Sequence, residues 1–204
     1  MTSGRPVTPP DRFARQVLAV LALSCGLSFA PSAMAVDWTV ALLMDLLARN
    51  APGLATFRET KYIALLDQPV ESSGELRFTP PHRLEKRTLS PGAESLVIDR
   101  DSLTMERLGK RHTIALRDYP EVAVFVESIR GTLAGDRASL ERSYALTIEG
   151  DAQRWNLVLR PLSEAVGKLV SRIEVSGSLA EVRRIEITQS DGDRSLMQIR
   201  RAGP

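Results

Sequence analysis

Cysteine is nearly absent from this sequence: Cys25 is the only one in 204 residues. An intrachain disulfide is therefore excluded, and so is a zinc site built from several thiolates. Histidine is almost as scarce. His82 and His112 are the two in the chain, and neither sits in a metal-binding spacing such as His-Glu-x-x-His. No Gly-x-Ser-x-Gly turn presents a nucleophile, and no glycine-rich loop offers a phosphate cradle. Carboxylates are plentiful but sit in turn sequences. Asp99 and Asp101 flank Arg100, and Asp191 and Asp193 lie in "SDGD", short of the longer oxygen-rich loop that calcium requires. The longest apolar run, "VLAVLALSCGLSFA", is interrupted by Ser24, Gly26 and Ser28 and is short for a membrane span. Catalytic machinery, a metal and a cofactor are thus not expected.

What the N-terminus does have is an address. Arg5, Arg12 and Arg15 precede the apolar run and "APSAMA" follows it. This order marks a secretory signal peptide over residues 1–35, with cleavage expected after Ala35 and a periplasmic destination. A second reading places a lipid anchor on Cys25, because "LALSC" loosely resembles a bacterial lipoprotein box, with Ala22 where its leucine would be. The leader holds three arginines against Asp11, so its removal brings acids and bases into balance. No net basic footprint for a nucleic acid then remains. Residues 36–204 have the length of one domain with one core.

Within that domain a helix is expected first. Asp37 can cap it, Val40, Leu43, Met44 and Leu47 recur at helical spacing, and "APG" stops it. Period-two segments follow: "TFRETKYIALL", "GELRF", "RLEKRTL", "SLVIDR", "SLTME" and "HTIAL". The turn-rich "LDQP", "TPP", "SPG", "DRD" and "LGK" separate them. Each segment has one apolar and one charged face, as in an antiparallel sheet covered on one side. The period then changes. Val122, Phe125, Val126, Ile129 and Leu133 fall on one helical stripe, with Pro120 at its start and Gly135 just past its end. Strands resume from Tyr144 to Ile199, with "RPLSEAVGK" as a short helix or loop between them. The expected fold class is mainly β (α+β): an incomplete antiparallel β-barrel of about eleven strands, with two or three helices covering the concave face.

The inward side chains of such a sheet either fill a core or line a cavity, and the sequence is compatible with both. The candidates for a lipid-binding cavity are Phe57, Ile63, Leu76, Phe78, Leu84, Ile98, Met105, Val122, Phe125, Ile129, Tyr144, Trp155 and Leu157. Aliphatic positions outnumber aromatic ones, which suits an acyl chain.

Several segments, taken in order, resemble the family of LolA, the periplasmic carrier of outer-membrane lipoproteins, and its outer-membrane receptor relative. "TFRET" resembles the family's Phe-x-Gln strand, with Phe57 and Glu59 in the motif places. "GELRFTPPHRLEK" resembles its Gly-x-Leu-x-hydrophobic-x-x-Pro segment, with Gly74, Leu76, Phe78 and Pro81 in position. "SLVIDRDSLTME", "WNLVLRP" and "SGSLAEVRRIEITQSDGDRSLMQI" resemble its next hairpin, the strand after its middle helix and its last two strands. The resemblance spans Val36 to Ile199. It implies a monomeric, non-enzymatic carrier of lipoprotein or lipid acyl chains. An inner-membrane export complex would be the donor and an outer-membrane acceptor the recipient. An outer-membrane-tethered acceptor, or an envelope protein-binding module with a filled core, is the alternative. Two positions depart from the family. Pro80 replaces the arginine that latches the lid, and Glu59 replaces the motif glutamine. Arg77, Arg83 and Lys86 lie nearby as candidates for a substitute latch, on strands where they are expected to face solvent.

Overall fold

The hydroxyl of Thr39 accepts a hydrogen bond from the Leu42 amide at 3.3 Å and opens helix α1 (Val40–Leu47). The cap is therefore Thr39 and not Asp37. Thr39 holds the extended backbone directly before the helix, which is the geometry that lets a side chain fold back on the first turn. The chain is described here from a computed structural model, over residues 37–49 and 52–202. The expected leader, its cleavage after Ala35 and the alternative anchor at Cys25 lie outside these residues.

Eleven strands follow: β1 (Gly53–Tyr62), β2 (Val70–Thr79), β3 (Arg83–Ser90), β4 (Glu94–Asp99), β5 (Ser102–Arg107), β6 (Lys110–Ala115), β7 (Tyr144–Asp151), β8 (Arg154–Pro161), β9 (Val170–Ser178), β10 (Glu181–Gln189) and β11 (Arg194–Arg201). They form one antiparallel sheet in the order β6-β5-β4-β3-β2-β1-β11-β10-β9-β8-β7. Two meanders are thus joined where the first strand pairs with the last. The sheet edges, β6 and β7, are consecutive in the chain and remain unpaired with each other. What spans the gap is helical: a 3₁₀ turn (Leu116–Asp118), helix α2 (Pro120–Ala134) and helix α3 (Arg137–Glu141). This is an incomplete β-barrel whose opening is crossed by helices.

Helix α2 begins at Pro120 and ends against Gly135, as the sequence indicates. Gly135 adopts φ +68, and a Cβ there would lie 2.2 Å from the Met44 carbonyl oxygen of α1. Glycine is required both by the left-handed cap and by the close crossing of the two helices. With α4 (Glu164–Gly167), the described residues hold four helices where two or three are expected. Helices α3 and α4 span only five and four residues and so show no apolar period. Their caps mark them instead: Asp136 accepts from the Ser139 amide, and Ser163 from the Val166 amide.

The interior has two parts. The larger packs α1 and Leu140 of α3 against the inward face of β7–β10, where Leu157, Val175 and Ile185 form one cross-strand row. The smaller joins Ile98, Leu116 and Val126.

Candidate functional site

Strand register builds the wall of a cavity row by row. Phe78, Leu84, Ile98 and Leu103 stand opposite one another across β2 to β5, and Leu76, Lys86, Leu96 and Met105 form the next row. From the other meander come Val182, Ile185 and Ile187 of β10 and Ser195, Met197 and Ile199 of β11. Helix α2 supplies the roof, with Val122, Phe125, Val126, Ile129 and Leu133. These groups line a partly open space of about 400 Å³ between sheet and helix. The wall is almost wholly hydrocarbon. Glu59, Lys86 and Ser195 interrupt it within, and Glu181 and Arg201 lie at the start of β10 and the end of β11.

Of the thirteen sequence candidates, Leu76, Phe78, Leu84, Ile98, Val122, Phe125 and Ile129 line this cavity. The remaining six lie elsewhere. Tyr144, Trp155 and Leu157 belong to the packed core beneath β7–β10, with Trp155 only 1% exposed. Trp155 Nε1 donates to the Leu179 carbonyl at 2.9 Å, and the Tyr144 hydroxyl donates to the Val124 carbonyl at 3.3 Å. Both rings are thereby fixed as structure. Phe57 is on the inward face of β1 but buried away from the space. Met105 ends its row next to the edge strand and is 40% exposed. Ile63 follows β1 in a turn, where its carbonyl accepts from the Leu66 amide. Alternation identifies the inward face of a strand, but only the placement of the helices decides which part of that face is filled.

The polar residues of the wall are legible only in part: Glu59 stands at a motif place, but Lys86, expected to face solvent, shares the inward face of β3 with Leu84. Two residues on from an inward leucine is again inward, and that spacing was the available signal. Glu59 stands in the same relation to Phe57. Lys86 Nζ donates to Glu59 Oε2 at 2.5 Å, and Ser72 Oγ donates to the same oxygen at 3.3 Å. Ser195 Oγ donates to Glu59 Oε1 at 2.6 Å, with Lys61 Nζ 3.9 Å from that oxygen. Glu59 is 5% exposed and the Lys86 side chain 20%. Lys86 Nζ also lies 5.0 Å from the centre of the Phe57 ring, a cation–π contact. Burial pushes the Glu59 carboxyl up. The hydrogen bonds from Lys86 and Ser195, with the charges of Lys86 and Lys61, outweigh burial and hold the group below its ordinary value.

Among the described residues no group of three or more His, Cys, Asp or Glu is placed to hold a metal ion. No described helix is long and apolar enough to cross a membrane.

The class defined by this architecture is an incomplete antiparallel barrel with a helix-roofed apolar cavity. The chain belongs to the outer membrane lipoprotein carrier protein LolA-like family, whose model matches residues 29–201. No curated protein matches it. Among solved structures, the chain is similar to a LolA superfamily protein from Nitrosomonas europaea, at 10% identity over 82% of this chain and 96% of that one, with a TM-score of 0.42. It is also similar to LprF from Mycobacterium bovis, at 12% identity over 81% and 93% of the two chains, with a TM-score of 0.35. A third likeness is to the MucA/MucB complex of Pseudomonas aeruginosa, at 13% identity over 81% of this chain and 58% of that one, with a TM-score of 0.41.

Proposed function

We propose that this protein is a non-enzymatic carrier that shelters the hydrocarbon of a lipid or lipoprotein in the cavity beneath α2. It would act in the periplasm after removal of its leader near Ala35, moving cargo from an inner-membrane donor to an outer-membrane acceptor. The observation that carries this reading is the cavity itself: about 400 Å³ lined chiefly by aliphatic and phenylalanine side chains. Membership of the LolA-like family supports a carrier-type role. Magnitudes suit reversible transfer. Burying a ten-carbon segment contributes roughly 8 kcal/mol, and the lost freedom of association costs roughly 4–15 kcal/mol. The two terms are of the same order and largely offset each other, which suits cargo that both loads and leaves.

Native mass spectrometry of protein purified from the periplasmic fraction tests the reading, together with displacement of a fluorescent fatty acid. Bound lipid or displaceable probe is expected; neither would overturn it. Phe78→Glu or Phe125→Glu, on the cavity wall, should weaken probe binding about tenfold or more by placing a charge in hydrocarbon. Arg77→Glu, on the exposed face of β2, should leave it unchanged. Equal effects from all three would count against an interior site.

A further inference from the structure

Lys86 is the residue that a plain hydrocarbon sheath does not need. Register places it between Leu76 and Leu96, in the middle of an otherwise apolar row. A lysine on such a surface ordinarily extends its ammonium to water. Here the ammonium is drawn onto Glu59 inside the cavity wall.

The hydrogen-bonding balance of this cluster is uneven. Both oxygens of Glu59 are engaged: Oε1 by Ser195 with Lys61 nearby, Oε2 by Lys86 and Ser72. Lys86 has three N–H donors and directs one of them to Glu59. The Phe57 ring, 5.0 Å from Nζ, is its other partner, and among the described residues no further protein oxygen meets it. The charge balance leans the same way. Lys86 in the wall and the half-exposed Lys61 beside it stand against the one carboxylate of Glu59, while Glu181 and Arg201 at the strand ends offset each other, leaving one positive charge in excess around the cluster. What the cluster can still take is therefore an acceptor carrying about one negative charge. In apolar surroundings such a pairing is both stronger and more selective than in water.

Resting on the carrier reading above, we infer that the preferred occupant is a single-chain lipid with a free carboxylate. Its head sits on Lys86, and its chain runs along the row of Phe78, Leu84, Ile98 and Leu103 beneath Phe125. Volume supports one chain, since about 400 Å³ lies near the lower end of the roughly 300–1,000 Å³ found for ligand cavities. Charge supports a carboxylate over a phosphate monoester, which brings about 1.5–2 negative charges to a site with one positive in excess and Glu59 beside it.

The test is competition for a dansylated fatty acid on the delipidated protein, comparing dodecanoate with methyl dodecanoate. One charge-assisted hydrogen bond more for the acid predicts displacement at about tenfold lower concentration than the ester. The double substitution Glu59→Gln with Lys86→Met removes both charges and strands neither. It should bring acid and ester to equal potency, while Lys86→Arg should keep the preference. Equal potency in the unaltered protein overturns the inference and leaves the carrier reading standing. That comparison needs no variant to fold. Acid preference surviving in the double variant overturns it as well. Failure of the probe and both competitors to bind would overturn the inference and the carrier reading together.

Discussion

Glu59 is the residue on which the interior electrostatics turn. Its carboxyl lies below its ordinary value of 4.5 in the folded protein. The sign follows from that direction. Folding is favoured by the ionised Glu59 at any pH above the unfolded value. The contribution is lost as pH falls from there through the depressed folded value. Denaturant midpoints for wild type and Glu59→Gln should therefore differ at neutral pH and converge only as the pH falls through the depressed folded value. Glu59→Ala, which leaves Lys86 and two hydroxyls without their acceptor, should cost roughly 1–3 kcal/mol at neutral pH. An unchanged midpoint would show the cluster to be loosely held. Gly74 is another position that only glycine fits. A bulge at Ser73 and Gly74 brings β2 so close to β3 that a Cβ would lie 1.9 Å from the Arg87 carbonyl oxygen. Gly74→Ala should lower thermal stability by an amount typical of a buried backbone clash, about 2–4 kcal/mol.

Helix α2 is held differently on its two flanks. Toward β7–β10, Val124, Phe125 and Ile129 pack on the larger core and Tyr144 bonds the Val124 carbonyl. Toward the other meander, Val126 meets Ile98 and Leu116, and Arg130 Nη1 donates to the Arg100 carbonyl in the β4–β5 turn at 2.8 Å. With Pro80 where the family places its latching arginine, this bond is the tie that the fold provides between roof and turn. Arg130→Ala should speed release of a bound fluorescent fatty acid about three- to tenfold, the yield of one hydrogen bond of roughly 1 kcal/mol. Stopped-flow displacement would read it, and an unchanged rate would assign the roof to packing alone. The helix was among the best-read parts of the sequence, because proline, a regular stripe and glycine agree on both its limits and its buried face. The strands were read nearly as well, since each turn carries its own residues. The cavity was read only in part. Leu84 and Lys86 obey the same alternation, but a charged side chain invites the assumption of an outward face. Trp155 and Phe78 look alike in period, and what separates them is which stretch of sheet α1 covers, a long-range fact that no local pattern contains.

At the level of the molecule, that separation is also a difference in stability. Trp155 is encased, so Trp155→Ala should cost about 3–5 kcal/mol. Phe78 is half-buried beside an existing space, and Phe78→Ala should cost less than half as much because it enlarges a hollow already present. Chemical denaturation of the two variants would settle the order, and equal losses would mean that the space is filled in solution.

The two meanders meet only where β1 pairs with β11, and the edges β6 and β7 never join. One meander rests on the larger core and the other on the smaller. Two clusters of unequal size predict two unequal cooperative units. Amide protons of β7–β10 should exchange with deuterium at rates set by global unfolding. Those of β4–β6 should exchange faster, through a local excursion of the thinner arm. On the proposed carrier reading a lipid in the cavity would touch both arms, so loading should slow exchange in β4–β6 and leave β7–β10 nearly as before. On that reading the missing seam of the barrel would serve as a clock: the opening rate of one arm would set how long cargo stays.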